Sequence, residues 1–137
     1  MNSMDNWLLI AVVIFVLVDI LIVFYVLWKR RSGGLSSQEK QKYFAHWKRI
    51  KADRDMRHAI MDADKLLDQI LGRKGYSGPL GEKLKKSGKL FSDLNGVWYA
   101  HKLRNRLAHE LDARLSTDEG KRALRQFERA FRDLGLL

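Results

Sequence analysis

The chain of 137 residues has no cysteine, a single proline and no basic residue before Lys29. The absence of cysteine excludes disulfide scaffolds, thiolate zinc sites and cysteine nucleophiles, and the length excludes a large multidomain enzyme. Asp5 and Asp19 are the only acids before Lys29, so residues 29–137 hold the other 14 acids and all 26 Lys and Arg, a net charge of +12. The sequence therefore divides into a hydrophobic segment and one small basic domain.

The long apolar run Trp7–Trp28 predicts a transmembrane helix. Its 22 residues span roughly 33 Å as a helix, which is enough to cross the hydrocarbon core of a bilayer. The run lacks the basic start and small-residue cleavage site of a signal peptide, so we expect it to be retained. The basic residues 29–31 follow at once. The positive-inside rule therefore predicts a single-pass cell-membrane protein, with residues 1–6 outside and the C-terminal domain in the cytoplasm.

Asp19 is the one acidic residue inside this apolar run. An unpaired carboxylate at that depth costs at least about 2.5 kcal/mol on insertion scales. Two interpretations stay open. Either a protonated Asp19 is tolerated by a very apolar helix, or Asp19 forms a hydrogen bond between two copies of the helix in a homo-oligomer.

After a basic flexible linker over residues 29–37, local signals predict helices throughout residues 38–137. Residues 36–39 (SSQE) match a capping box, and apolar residues recur at helical spacing from Tyr43 to Ile70. These patterns predict one long helix, or two helices with a bend near residues 51–55. The loop 72–81, with four glycines and the only proline, ends this region.

Three further helices are predicted after the glycine-rich loop. They are a short basic helix over residues 79–87, a stretch from Ser92 through Leu111, and a last helix from the capping box at Ser116 to about Leu134. No stretch alternates with period two, so no strand is expected. The fold class is all-α, a transmembrane helix plus a cytoplasmic bundle of four to five helices.

The last helix is amphipathic, and five basic residues lie opposite its apolar stripe. These residues are predicted to contact RNA or an anionic membrane surface: Lys121, Arg122, Arg125, Arg129 and Arg132. Positive charge attracts both partners, at about 1 kcal/mol per basic residue near an anionic leaflet, so charge alone does not discriminate them. Trp47 and Trp98 are at core spacing, so we expect both to pack rather than to stack on bases.

The sequence predicts neither a metal site nor a cofactor. The glycine-rich loop lacks the G-x-x-x-x-G-K-[ST] pattern of a phosphate-binding loop and follows no predicted strand. The four histidines form no H-E-x-x-H pattern and have no cysteine beside them as additional zinc ligands.

The stretch of residues 98–110 (WYAHKLRNRLAHE) contains the side chains best suited to catalysis or anion binding. In helical projection, the core stripe of this helix continues to Leu111, and beside it lies a second strip in which Arg104, His101, Asn105 and His109 surround the small residue Ala108. Such a strip permits close approach of another surface and convergence on a bound anion, although an ordinary solvated helix face has the same pattern. Arg104 and His109 lie about 140° apart on an ideal helix, so contact with one phosphate requires a helix end, a distortion or a second protomer.

Residues 104–109 (RNRLAH) resemble the R-x4-6-H motif of the HEPN superfamily (higher eukaryotes and prokaryotes nucleotide-binding). Asn105 matches the polar residue that commonly follows the arginine. The motif lies on the penultimate predicted helix, before a capped last helix, and residues 59–67 on the preceding long helix are also similar. The resemblance covers about residues 38–137 and leaves the transmembrane helix outside it.

The resemblance implies a metal-independent RNase that pairs as a homodimer, with the two motifs at the shared interface. In such enzymes a ribose 2′-OH attacks the adjacent phosphate and leaves a 2′,3′-cyclic phosphate and a 5′-OH. His109 would then transfer protons, and the forked guanidinium of Arg104 would hold the phosphate. Asn105 would orient one of these partners, and His101 would line the same cleft.

Other members of the superfamily are inactive binding or assembly modules. Two functions therefore stay open. The chain is a membrane-anchored RNase, or it is a catalytically silent membrane-anchored module that binds a protein partner with the same face of the bundle.

Overall fold

The computed structural model describes residues 3–31 and 34–137, which form two compact units that separate between Gly33 and Gly34. The first unit is helix α1 (Ser3–Arg31). The second unit contains a short 3-10 helix, Gly88–Leu90, and five α-helices: α2 (Ser37–Ala52), α3 (Met56–Arg73), α4 (Leu80–Ser87), α5 (Leu94–His109) and α6 (Thr117–Asp133). The described ranges contain no strand. The predicted all-α class, with a helical bundle, is confirmed.

Helix α1 contains one stretch, Asn6–Trp28, that is long and apolar enough to cross a membrane, and none of it is buried inside the protein. Asp19 is exposed on this stretch, and both interpretations of it stay predictions. Residues 29–31, predicted as the start of the linker, belong to α1, because Lys and Arg have a high intrinsic helix propensity. Residues 1–2 and 32–33 of the predicted terminus and linker lie outside the described residues.

Side-chain caps fix where α2, α3, α5 and α6 begin, whereas α4 begins after Pro79 without one. Ser36 and Glu39 form the capping box of α2, and Ser116 and Glu119 form that of α6. Asp55 accepts hydrogen bonds from two backbone N–H groups at the start of α3. The chain therefore forms two helices over residues 37–73, the second of the two predicted alternatives.

Helix α5 is shorter than the predicted stretch at both ends. Asp93 accepts a hydrogen bond from the first turn, so the helix begins at Leu94 rather than Ser92. It ends at His109, and Leu111, predicted on the core stripe, is fully exposed in the following loop. The prediction for Leu111 is wrong, because helical spacing places a residue on the core face only while the helix continues.

Helix α3 is central and packs against α2, α4, α5 and α6. Trp47 of α2 meets Phe131 of α6 edge to face, with 5.0 Å between ring centroids, and Phe131 stacks on Phe127 at 6.5 Å. A Cβ on Gly120 would lie 1.8 Å from Sδ of Met56, so a larger residue there would displace the Met56 side chain. The ring contact of Trp47 with Phe131 joins α2 to α6, and the approach of Gly120 to Met56 joins α6 to the start of α3.

Candidate functional site

An open cavity of about 660 Å³ is lined by residues of α3, by the start of α4 and by α5. Three predicted site residues, His101, Arg104 and Asn105, form its α5 wall. Their spacing of three and four residues places them on one side of the helix. Asp64 of α3 lines the same cavity. The cavity therefore brings together three of the four polar residues that the sequence placed in the candidate cleft, all except His109.

The four polar side chains on this wall contact one another. Asp64 Oδ1 lies 2.8 Å from His101 Nδ1, and Asp64 Oδ2 lies 3.3 Å from Arg104 Nε. Arg104 Nη1 donates to Asn105 Oδ1 at 2.9 Å, and Asn105 Nδ2 lies 3.2 Å from His101 Nε2. Asp64 is 3% exposed and His101 is 9% exposed, so their contact is shielded from water.

This closed set of contacts determines which atom of His101 carries the proton. Arginine only donates, so Asn105 Oδ1 is the acceptor and the Asn105 amide nitrogen points to His101 Nε2. Since the amide nitrogen donates, Nε2 of His101 accepts, and Nδ1 donates its proton to the Asp64 carboxylate. The arrangement therefore favours the tautomer of His101 that has its hydrogen on Nδ1 and accepts a hydrogen bond at Nε2.

The geometry permits two kinds of chemistry at this wall. A hydroxyl that replaces the Asn105 amide at Nε2 of His101 can give up its proton there, and Asp64 then stabilises the imidazolium. Arg104 is half-buried, and its Nη2 has no hydrogen bond within the described residues. This nitrogen is a donor available to an anion in the cavity.

Carboxylates on the cavity wall oppose anion binding unless they are paired. Three aspartates line the cavity: Asp62, Asp64 and Asp68. Asp68 Oδ1 lies 2.8 Å from Lys83 Nζ, and Asp62 lies 3.6 Å from His58 Nε2. Each aspartate thus has a basic neighbour. Among residues 3–31 and 34–137, no group of three acidic or histidine side chains is arranged to hold a metal ion.

His109 and Ala108 lie apart from this cavity. Both are exposed at the C-terminal end of α5, and neither is among the residues that line the cavity. Within one chain, the fold brings Arg104 and Asn105 together with His101 and leaves His109 outside. The predicted meeting of Arg104 and His109 on one phosphate, through the helix end, a distortion or a second copy of the chain, therefore stays a prediction.

The chain around His109 is held by the neighbouring helix α3. The Arg57 guanidinium donates to the carbonyl oxygen of Leu107 at 2.9 Å and also to the carbonyl oxygen of Ala113. These two carbonyls lie on either side of the helix end, where backbone acceptors lack helical partners. Arg57 therefore fixes the position at which α5 stops and presents His109.

A second anchor joins α5 to the start of α6. Arg106 Nη2 donates to Glu119 Oε1 at 2.9 Å. The backbone N–H of Ser116 above all, and next the Arg106 guanidinium, lower the pKa of Glu119 to about 2. A carboxyl whose pKa is lowered stabilises the fold above its ordinary pKa and loses this contribution as pH falls toward the lowered value. This anchor is therefore complete at neutral pH.

The basic residues of α6 are exposed, as the amphipathic pattern predicts: Lys121, Arg122, Arg125, Arg129 and Arg132. Arg129 donates to Ser92 Oγ at 3.0 Å, and Arg132 lies 3.5 Å from Glu128. Contact of these side chains with RNA or with an anionic surface stays a prediction.

Asp64 is the site residue that sequence reasoning missed. It lies in the run of residues 59–67 that is similar to HEPN sequences. The apolar spacing of that run predicts a helix, but it assigns no role in the site to Asp64. An aspartate among residues at core spacing is the signal, because a buried carboxylate requires a partner. His101, 37 positions later, is that partner.

Comparison of the chain with protein-family models, with curated protein sequences and with solved structures finds no significant match. The HEPN resemblance therefore depends on residues 104–109 and their position in the helix order, and it stays a prediction.

Proposed function

We propose that this chain is a membrane-anchored, HEPN-like RNase that acts as a homodimer without a metal ion. The observation that supports this proposal is the Arg104 guanidinium, which is half-buried beside an open cavity and oriented by Asp64 and Asn105. A guanidinium held in this way is suited to a phosphate, because it presents fixed donors and keeps its charge at all physiological pH values.

The proposed reaction breaks the bond between phosphorus and the 5′-oxygen of the next nucleotide. The 2′-oxygen attacks phosphorus, the 2′-OH proton passes to a base, and the leaving 5′-oxygen takes up a proton. His109 supplies proton transfer, and Nε2 of His101 is a second acceptor in the same cleft. Arg104 stabilises the charge that develops on the phosphate oxygens.

The homodimer follows from the positions of Arg104 and His109 on one helix. Because His109 lies outside the cavity that contains Arg104, a second copy must bring its own His109 to that phosphate. Ala108 is small and exposed, so α5 of a second copy can approach closely there. Such a twofold arrangement creates two equivalent clefts.

One observation favours the alternative function, a catalytically silent module that binds a protein partner. Asp64, His101, Asn105 and Nη1 of Arg104 are hydrogen-bonded to one another, so most polar groups of this wall have partners without a ligand. In this alternative the membrane anchor and the bundle serve assembly, and no RNA is cleaved.

The first test is cleavage of RNA by the purified full chain in nanodiscs of neutral lipid. We expect cleavage of single-stranded RNA in the presence of EDTA, with products that end in a 2′,3′-cyclic phosphate and a 5′-OH. A matched oligomer whose 2′-OH groups are replaced by hydrogen should resist, because it lacks the attacking oxygen. Products with a 3′-OH and a 5′-phosphate, or loss of activity in EDTA, would contradict the proposed chemistry.

The second test concerns orientation in the membrane. The three basic residues 29–31 follow the apolar stretch of α1, and no lysine or arginine precedes it. We therefore expect a tag placed after Leu137 to be protected from protease added outside intact cells and digested after the membrane is permeabilised. Digestion of this tag in intact cells would exclude a cytoplasmic RNA substrate.

A further inference from the structure

A second open groove, of about 490 Å³, lies on α5 and is lined by four residues: Asn95, Trp98, Tyr99 and Lys102. Their spacing of three, four and seven residues places them on one face of the helix. Asn95 and Lys102 are exposed, whereas Trp98 and Tyr99 are only half-buried. The prediction that Trp98 packs in the core is therefore correct for one part of its ring only.

Each of the two aromatic rings contacts a neighbouring side chain of the protein. The Trp98 ring meets the His101 ring edge to face, with 5.9 Å between centroids. The Arg122 guanidinium of α6 lies over the Tyr99 ring, with Cζ 4.3 Å from its centroid. Rings fixed in this way lose little conformational freedom when a planar ligand stacks on them.

The charge around the groove is positive. Lys102 has no hydrogen bond or ion pair in the part of the chain that the structure describes, and the contact of Arg122 is with an aromatic ring rather than an acid. The Asn95 amide adds one donor and one acceptor group at the groove edge. Aromatic faces beside free cations are the combination that binds single-stranded nucleic acid.

We infer that this groove binds an unpaired base of single-stranded RNA, which stacks on Trp98 and Tyr99 while Lys102 and Arg122 contact the flanking phosphates. A lipid surface fits less well, because membrane insertion needs protruding rings and these rings line a recess. The inference rests on the proposed function and specifies its substrate. Trp98 and Arg104 are roughly 9 Å apart along α5, so one strand can reach both the groove and the cavity.

The experiment measures binding rather than cleavage, with the full chain in nanodiscs of neutral lipid. The probes are a 2′-O-methyl oligouridylate, which has no free 2′-OH, and an abasic oligomer of the same length and charge. We expect tighter binding of the oligouridylate. Trp98→Leu and Tyr99→Leu should each weaken its binding by about 5- to 150-fold, the range for loss of one stacked base, and should leave binding of the abasic oligomer within about twofold.

Phe44 provides the control, because it is an aromatic residue outside the groove, it is exposed, and Lys48 Nζ lies 4.8 Å from its ring centroid. Phe44→Leu should leave the affinity for oligouridylate unchanged. A second measurement uses the unsubstituted chain: photo-cross-linking with 5-iodouracil oligomers should label Trp98 or Tyr99. Equal affinity for the two probes, labelling elsewhere, or binding only to anionic vesicles would overturn the inference.

The outcomes separate this inference from the proposed RNase. Base-dependent binding through Trp98 without any RNA cleavage would support the groove and exclude the RNase. Cleavage that does not change in Trp98→Leu and Tyr99→Leu would support the RNase and exclude the groove.

Discussion

We expect His109→Ala to slow the proposed cleavage of single-stranded RNA by about 10²- to 10⁴-fold, the range for loss of a group that transfers protons in the transition state. His109 is exposed at the end of α5, so the substitution removes the imidazole without opening a cavity in the core. Helical content and hydrogen-exchange protection of α3 should therefore equal those of the wild type. The measurement is the single-turnover rate with a labelled oligomer in EDTA.

His46 offers a matched control, because it is a half-buried histidine on α2 that lines neither the cavity nor the groove. His46→Ala should retain the wild-type rate. If the wild type, His109→Ala and His46→Ala share one residual rate, the activity belongs to a contaminant, and the silent assembly module becomes the better account.

Mixing two inactive variants tests whether the cleft is shared. Arg104→Lys should also be severely impaired, because a point charge cannot replace the fork of the guanidinium. In a shared cleft, a heterodimer of Arg104→Lys and His109→Ala contains one site with both native residues. Random exchange of subunits should then restore about one quarter of the wild-type activity, since about half of the dimers are mixed. If cleavage activity is not restored after subunit exchange has been confirmed, the shared cleft is refuted. Arg104 and His109 of one chain would then belong to the same site.

Phe127→Ala lowers the free energy of unfolding of the second unit by about 3–5 kcal/mol, which is the usual cost of removing a buried phenylalanine ring. Phe127 is fully buried and stacks on Phe131, so the substitution leaves a cavity in the core beside α6. A small domain has only about 5–15 kcal/mol of stability in total. Native-state hydrogen exchange of α3 amides measures this loss without interference from α1.

Phe44→Ala is the control for this stability measurement. Phe44 is 39% exposed, so its replacement should change the unfolding free energy by less than about 1 kcal/mol. Equal effects of the two substitutions would mean that Phe127 does not lie in the core of the folded chain.

The positions of the helices were predictable because the signals that start helices are local. Ser36 with Glu39 and Ser116 with Glu119 act across three residues, and both pairs form the predicted capping boxes. The ends of helices were less predictable. Leu111 continued the apolar spacing of α5, but the chain turns after His109, where Arg57 of α3 binds carbonyl oxygens on both sides of the turn.

The candidate site was predictable in part. The sequence placed His101, Arg104 and Asn105 on one strip of α5 beside the core, and the structure finds these three side chains on one cavity wall. It did not assign Asp64, and it placed His109 in the same site, whereas the fold leaves His109 outside. Spacing along one helix shows which side chains share a face, but it contains no information on which residue of another helix opposes them.

By itself, the sequence determined the long apolar helix, the all-α class, the capped starts of α2 and α6, and the exposed basic side of α6. Each of these depends on hydrophobicity and on hydrogen bonds between residues a few positions apart. Only the tertiary structure decided that Asp64 contacts His101 and that the Trp98 side chain stays partly exposed beside a groove. Those contacts depend on how α3, α4, α5 and α6 pack, because packing brings together residues far apart in the chain and determines which part of a ring remains uncovered.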